Sequence, residues 1–344
     1  MMGSRERSLV RKIIPQSIIG QSIRYLPVAF FVFSSALAQA QRPAKIPRIG
    51  FLFTLSPSIS PERVAAFRQG LRDLGYFEGK NIILEIRSAE GKAERLTELA
   101  DELVRLDVDV IITAGPTPTN AAKKATKTVP IVMTFDIDPV GSGLVASLAR
   151  PGGNITGLST LAPEISGKHL ELLKETVPRL SRVALFRIST VQGSAQELKQ
   201  VELAAAGLGI RLRYLEVRDP KDIETSFQAA KNEHADAMLV GTSRILYGQR
   251  AQVVKLAVQY RLPAMYIEQE FVLAGGLMAY ATSISDLYRR AATYVDKILK
   301  GAKPADLPIE QPTKFELLIN LKSAKQIALT IPHNVLARAD RVIK

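Results

Sequence analysis

The sequence predicts an α/β protein built as two doubly wound parallel-sheet lobes, and three observations carry that expectation. Short β-rich runs alternate with amphipathic helical stretches from residue 47 onward, the pattern of βαβ units whose parallel sheets are covered on both faces. The alternation supplies about ten strand candidates, more than one open sheet holds comfortably, and it restarts near residue 160. The chain is 344 residues long and 47% hydrophobic, enough apolar sequence for two cores and too much for intrinsic disorder.

The elements follow in order. Residues 48–53 (RIGFLF) are the first strand candidate. Ser60 then supplies an N-cap and Pro61 an N1 proline for a helix whose Val64, Phe67, Leu71 and Leu74 share one face, and which Gly75 ends. A strand at 81–86, a helix through Leu96, Leu99 and Leu103, and a buried-type strand at 108–112 come next. A helix over 118–128 leads to a strand at 130–135, then a helix over 143–149 and a strand at 154–157. In the second half a helix carrying Leu170, Leu173 and Val177 precedes the strand 182–186. Leu198, Val201, Ala205 and Leu208 stripe another helix, followed by a strand at 210–217, a helix from Pro220 and a strand at 237–240. A helix over 249–260 and strands at 263–267 and 276–280 complete the set.

The first 40 residues read differently. Arg5, Arg7, Arg11, Lys12 and Arg24 face a single acid, Glu6, before an apolar run at 26–37 that closes on Ala38-Gln39-Ala40. A basic n-region, a short h-region and an A-x-A site form a secretory signal with cleavage between Ala40 and Gln41. A membrane span takes roughly 20 apolar residues, more than this run supplies. Loss of its five bases and one acid lowers the net charge from +13 to +9. The remaining bases, such as Lys92, Arg95, Lys123, Lys124, Lys127, Arg289 and Arg290, are dispersed without the basic-aromatic clustering that stacks nucleic-acid bases. The expectation is an exported periplasmic protein with no nucleic-acid partner. The absence of cysteine removes the lipid attachment point that an anchored relative would need after its signal.

Chemistry is scarce. With no cysteine there is no disulfide, thiolate metal site or thiol nucleophile. His169, His234 and His333 are scattered singly and read as surface residues. Neither a G-x-x-x-x-G-K-[ST] loop nor a G-x-S-x-G elbow occurs, and Gly141-Ser-Gly143 is a bare GxG that opens a helix rather than following the first strand. Asp136 and Asp138 form a D-x-D, but a hard cation would ask for further carboxylates or a phosphate. No metal, cofactor or catalytic residue is therefore expected. In open α/β sheets ligands bind beyond the carboxyl ends of the strands, here the loops 54–60, 113–120, 136–143, 187–194, 241–248 and 268–275. These loops are rich in Ser, Thr, Asp and Gly, their helix N-termini could offer N–H groups to an anion, and Arg187, Arg244 or Arg250 could clamp a carboxylate.

Four stretches carry a resemblance: 64–79 (VAAFRQGLRDLGYFEG) with Asn81, 138–157 (DPVGSGLVASLARPGGNITG), 270–283 (EFVLAGGLMAYATS) and 303–322 (KPADLPIEQPTKFELLINLK). Through them the whole chain after residue 40 resembles the ABC-transporter substrate-binding proteins, the family that includes the tryptophan/tyrosine-uptake type. The resemblance implies two lobes of the type I periplasmic-binding-protein fold. Three crossovers would join them near 157–161, 281–285 and 307–313. The first lobe would hold 41–160 plus 285–312, the second 161–284 plus 313–344. It also implies a small-molecule ligand, capture by lobe closure, and an ABC permease in the inner membrane as partner. A periplasmic sensor that presents its ligand state to a membrane receptor is the alternative. The family's G-[GT]-[TS]-P segment matches Gly115-Pro116-Thr117-Pro118, which makes Thr117 a carboxylate-binding candidate. Thr54, Ser56 and Asp136 would join it from the first lobe, with Ser189, Ser243 and Glu268 from the second. Where many relatives carry Asn-Pro-x-Asn-Pro, this chain reads Ile188-Ser-Thr-Val-Gln192, so aromatic amino-acid specificity does not carry over with the fold. The named loops show no evident aromatic stacking pair.

Overall fold

The computed structural model describes residues 45–160, 162–187, 194–312 and 314–344, with the side chains of 162–164 and 194–197 excepted. The expected signal segment and Ser189 lie outside the described residues. Among those described, five strands form a first sheet: β1 (Arg48–Phe53), β2 (Ile83–Ser88), β3 (Val110–Thr113), β4 (Ile131–Met133) and β5 (Ile155–Gly157). Their order is β2-β1-β3-β4-β5, all parallel. Seven more form a second sheet: β6 (Arg182–Arg187), β7 (Arg211–Glu216), β8 (Ala237–Val240), β9 (Ala264–Tyr266), β10 (Met278–Ala281), β11 (Glu316–Asn320) and β12 (Arg341–Ile343). Their order is β12-β11-β10-β9-β8-β6-β7, and only the β10–β11 pair is antiparallel.

Successive strand residues point to opposite faces, so each sheet buries two apolar sets against two helical layers. Ile49, Phe51 and Phe53 of β1 pack on helices Pro61–Asp73 and Ile284–Leu299. Leu52, Ile111, Ile131 and Met133 face helices Leu96–Arg105 and Pro116–Ala125. In the second sheet Phe186, Met238, Val240 and Tyr266 pack on helices Asp222–Asn232 and Arg250–Gln259. Leu185, Leu239, Met265 and Met278 meet helices Ala162–Thr176 and Ser194–Leu208.

Helix Ile284–Leu299 follows β10 of the second sheet yet packs along Pro61–Asp73 beneath the first. That packing is close: a Cβ on Gly70 would sit 2.3 Å from the Arg289 carbonyl oxygen. At the end of β5, Gly157 has φ +134°, and a Cβ there would lie 2.2 Å from the Met133 carbonyl. Only glycine allows the chain to leave the first sheet so tightly against β4.

Two expectations need correction. The segment 143–149 is not a helix but a series of turns. Asp138 organises it: Oδ1 accepts the Gly141 N–H at 2.8 Å, and its carbonyl accepts the Ser142 N–H and hydroxyl at 2.9 and 2.7 Å. Local side-chain acceptors and Gly143 at φ +67° outcompete a helix between Pro139 and Pro151. The second correction is at the C-terminus, where β11 and β12 were not anticipated. Because β11 enters antiparallel, it falls outside the strand-helix alternation from which the other strands are read.

Candidate functional site

The carboxyl ends of β1, β3 and β4 in the first sheet and of β8 and β9 in the second surround one cavity of about 140 Å³. From the first sheet come Thr54, Ser56, Thr117 and the ring of Phe135; from the second come Ser243, Arg244, Tyr247 and Glu268. Tyr288 reaches the cavity from the returning helix, its ring 6.5 Å from that of Phe135. Gly115, at φ +93°, makes room for Phe135: a Cβ at 115 would stand 3.2 Å from that ring.

Each polar group has a local reason for its position. Helix Pro116–Ala125 opens on the cavity, but Pro116 and Pro118 carry no N–H, which leaves the Thr117 amide and hydroxyl as its donors. Ser243 is the N-cap of helix Arg244–Gly248; its Oγ accepts the Leu246 N–H at 3.1 Å, which fixes the side chain at the cavity wall. Glu268 precedes helix Gln269–Leu273.

A charged cluster spans the two sheets' walls of the cavity. The Arg63 guanidinium, from helix Pro61–Asp73, donates through Nη2 to Glu268 Oε2 at 2.6 Å and Glu270 Oε1 at 2.8 Å, and through Nε to Glu270 Oε1 at 3.0 Å. It also lies 4.3 Å from the centre of the Tyr247 ring, with Arg250 at 4.9 Å from the same ring. The Tyr247 hydroxyl hydrogen-bonds the Ser60 hydroxyl, and Arg250 Nη2 donates to the Ile59 carbonyl at 2.7 Å. Burial pushes the Glu268 carboxyl above the usual carboxylate range, opposed by the Arg63 charge. Burial also opposes the charged form of Arg63, but Glu270 and Glu268 outweigh it and hold the guanidinium protonated.

Among the candidates read from sequence, Thr54, Ser56, Thr117, Ser243 and Glu268 line this one cavity. Asp136 does not; its neighbour Phe135 does. The Asp136 side chain is buried, with Oδ1 accepting the Asp138 N–H at 2.9 Å and Oδ2 without a partner. Its carbonyl accepts the Thr160 N–H at 2.9 Å, which ties loop 136–143 to the segment leaving β5. Burial raises its pKa to about 7. His234 and His333 are exposed as expected, but His169 is 2% exposed, contrary to the surface reading. The aromatic part of the lining comes mostly from outside the named loops: Phe53 ends β1, Phe135 follows β4 and Tyr288 stands on the returning helix, with Tyr247 alone inside loop 241–248.

Arg63 was missed as well, although it left a signal. It stands four residues before Phe67 and eight before Leu71, so a cation occupies the buried stripe of its own helix. A charge in that stripe needs a partner.

Comparison with known proteins agrees with this architecture. The family model for ABC transporter substrate binding proteins matches residues 53–343. A tyrosine-binding protein of Clostridioides difficile (strain R20291) is 25% identical over 261 residues, covering 76% of this chain and 75% of that protein. The crystal structure of a conserved domain protein from Vibrio cholerae superposes with a TM-score of 0.82 at 28% identity, covering 87% of this chain and all of that one. A Streptococcus pneumoniae ABC domain solved in complex with L-Trp superposes with a TM-score of 0.80 at 26% identity, covering 86% of this chain and 99% of that one.

Proposed function

The chain belongs to the ABC transporter substrate-binding protein family, and we propose that it is an exported, non-catalytic solute-binding protein that captures an amino acid between its two lobes. The observation that carries this reading is the composition of the cavity: the aromatic rings of Phe53, Phe135 and Tyr288 beside the first sheet and of Tyr247 beside the second, with polar groups from both. Thr54, Ser56 and the Thr117 amide offer donors to a carboxylate, while Glu268, whose Oε2 alone is taken by Arg63, offers an acceptor to an ammonium group. A zwitterion with an apolar or aromatic side chain satisfies these polar groups and the rings beside them. The relatives named for tyrosine and solved with L-Trp support the same class.

The ligand would touch both sheets' walls, so it would bind the closed arrangement better than an open one and draw the equilibrium toward closure. The closed lobes, 41–160 plus 285–312 and 161–284 plus 313–344, would then dock on the inner-membrane permease of an importer. Residues 1–40 would direct export to the periplasm and be removed between Ala40 and Gln41. Isothermal titration and thermal unfolding of residues 41–344 against the amino acids test the reading. A ligand at a hundredfold excess over Kd adds about 2.7 kcal/mol of stability, a plain thermal shift. Absence of any shift with tyrosine, tryptophan, phenylalanine and the aliphatic amino acids would overturn it.

A further inference from the structure

The cavity does not end at its aromatic rings. Phe135, Thr242 and Glu268 also line a second chamber, of about 50 Å³, that runs toward the segments linking the two sheets. Isoleucines, Ile137, Ile165 and Ile284 among them, make up most of its remaining lining, completed by Thr160, Thr282 and His169. This histidine projects from helix Ala162–Thr176, and its Nε2 lies 2.6 Å from the Tyr280 carbonyl oxygen. A carbonyl only accepts, so Nε2 carries the proton and Nδ1 of the neutral ring is left as an acceptor. Burial holds the imidazole neutral, with its pKa pushed down to about 4. Among the described residues, the Tyr280 carbonyl is the one hydrogen-bond partner of the ring.

We infer that His169 is a specificity-determining residue: its Nδ1 accepts a hydrogen bond from a hydroxyl or N–H at the far end of the solute's side chain. This inference rests on the amino-acid reading of the cavity. With the carboxylate and ammonium held in the outer chamber, a side chain passes between Phe135 and Thr242 and reaches the inner one. In a chamber lined mainly by isoleucines, with Glu268 and three threonines as its other polar groups, an imidazole acceptor rewards a ring that bears one donor, such as a phenol or an indole. It rejects the same ring without the donor, because that leaves the acceptor dehydrated and unpaired.

Titration calorimetry with L-tyrosine and L-phenylalanine tests the inference directly, since the two differ by one hydroxyl. The wild-type protein is expected to prefer tyrosine by at least about tenfold. H169L should bring that ratio close to one, by losing tyrosine affinity and relieving the penalty on phenylalanine, and H169Q, which restores an acceptor, should recover part of the preference. A tyrosine-to-phenylalanine ratio that H169L leaves unaltered overturns the inference, as does a wild type that does not discriminate. Binding of aliphatic but no aromatic amino acids would overturn this inference and leave the reading of the cavity standing, whereas failure of every amino acid to bind would overturn that reading and this inference with it. Nitrogen NMR of the imidazole gives a second readout in the folded wild type: the Nδ1 resonance should move on saturation with tyrosine. A resonance that stays in place while tyrosine binds overturns the role of His169.

Discussion

At the scale of single residues, two buried titratable groups near the cavity pull stability in opposite directions. Burial raises Asp136 from 3.8 to about 7, so the folded chain holds that proton more tightly than the unfolded one. The associated stability is complete below about pH 4 and is lost as pH rises through about 7. Burial lowers His169 from 6.5 to about 4, so its contribution is complete above about pH 6.5 and is lost as pH falls through about 4. The two windows overlap and the slopes largely offset each other. D136N keeps an acceptor for the Asp138 N–H and removes the first slope. It is expected to make stability rise with pH between about 4 and 6.5, and to exceed the wild type at pH 8 by roughly 2–4 kcal/mol. Urea unfolding across pH 4–8 checks this; a D136N profile parallel to the wild type would refute it. Neither group was legible as buried. Asp136 sits at a strand end among polar loop residues, and His169 shares its helix with a polar face, so which side meets solvent depends on the second layer of packing.

At the scale of elements, the alternation of apolar runs was enough to place most strands to within two residues, because a buried parallel strand needs an unbroken apolar run and a covering helix. It failed where local polar chemistry decided: the turns of 143–149 are held by Asp138 side-chain and backbone acceptors that no periodicity reveals. The helix pair that covers the first sheet makes a sharp test. Gly70 lies against the Arg289 backbone, and an added methyl would stand 2.9 Å from the Ala292 Cβ as well. G70A gains helix propensity but must force the two helices apart, and overpacking of that kind costs about 1–3 kcal/mol. Thermal unfolding should show a fall of several degrees, whereas an unchanged or raised Tm would mean that the helices slide without cost. G207A is a suitable control, since nothing lies within 4 Å of a Cβ built there.

At the scale of the whole molecule, the contacts between the two sheets' walls converge on Arg63. Its removal leaves Glu268 and Glu270 buried beside one another without their shared cation, and takes one guanidinium from the Tyr247 ring. Losing one partner of a buried ion pair costs about 3–5 kcal/mol, and opening the lobes is the cheapest way to rehydrate both carboxylates. R63A is therefore expected to raise the radius of gyration in small-angle scattering and to weaken amino-acid binding at least tenfold, with both sheets still folded by circular dichroism. Scattering and affinity that match the wild type would remove Arg63 from any closing role. By itself, the sequence determined the α/β class and the family, because hydrophobic period and short motifs are local properties of the chain. It also named most of the polar cavity lining, since strand ends and helix starts are local too. Only the tertiary structure decided that Arg63 meets Glu268 and Glu270 more than 200 residues away, that four aromatic rings line one cavity, and that His169 is buried. Those facts belong to the juxtaposition of two sheets whose strand ends face each other, and no window along one chain segment contains both.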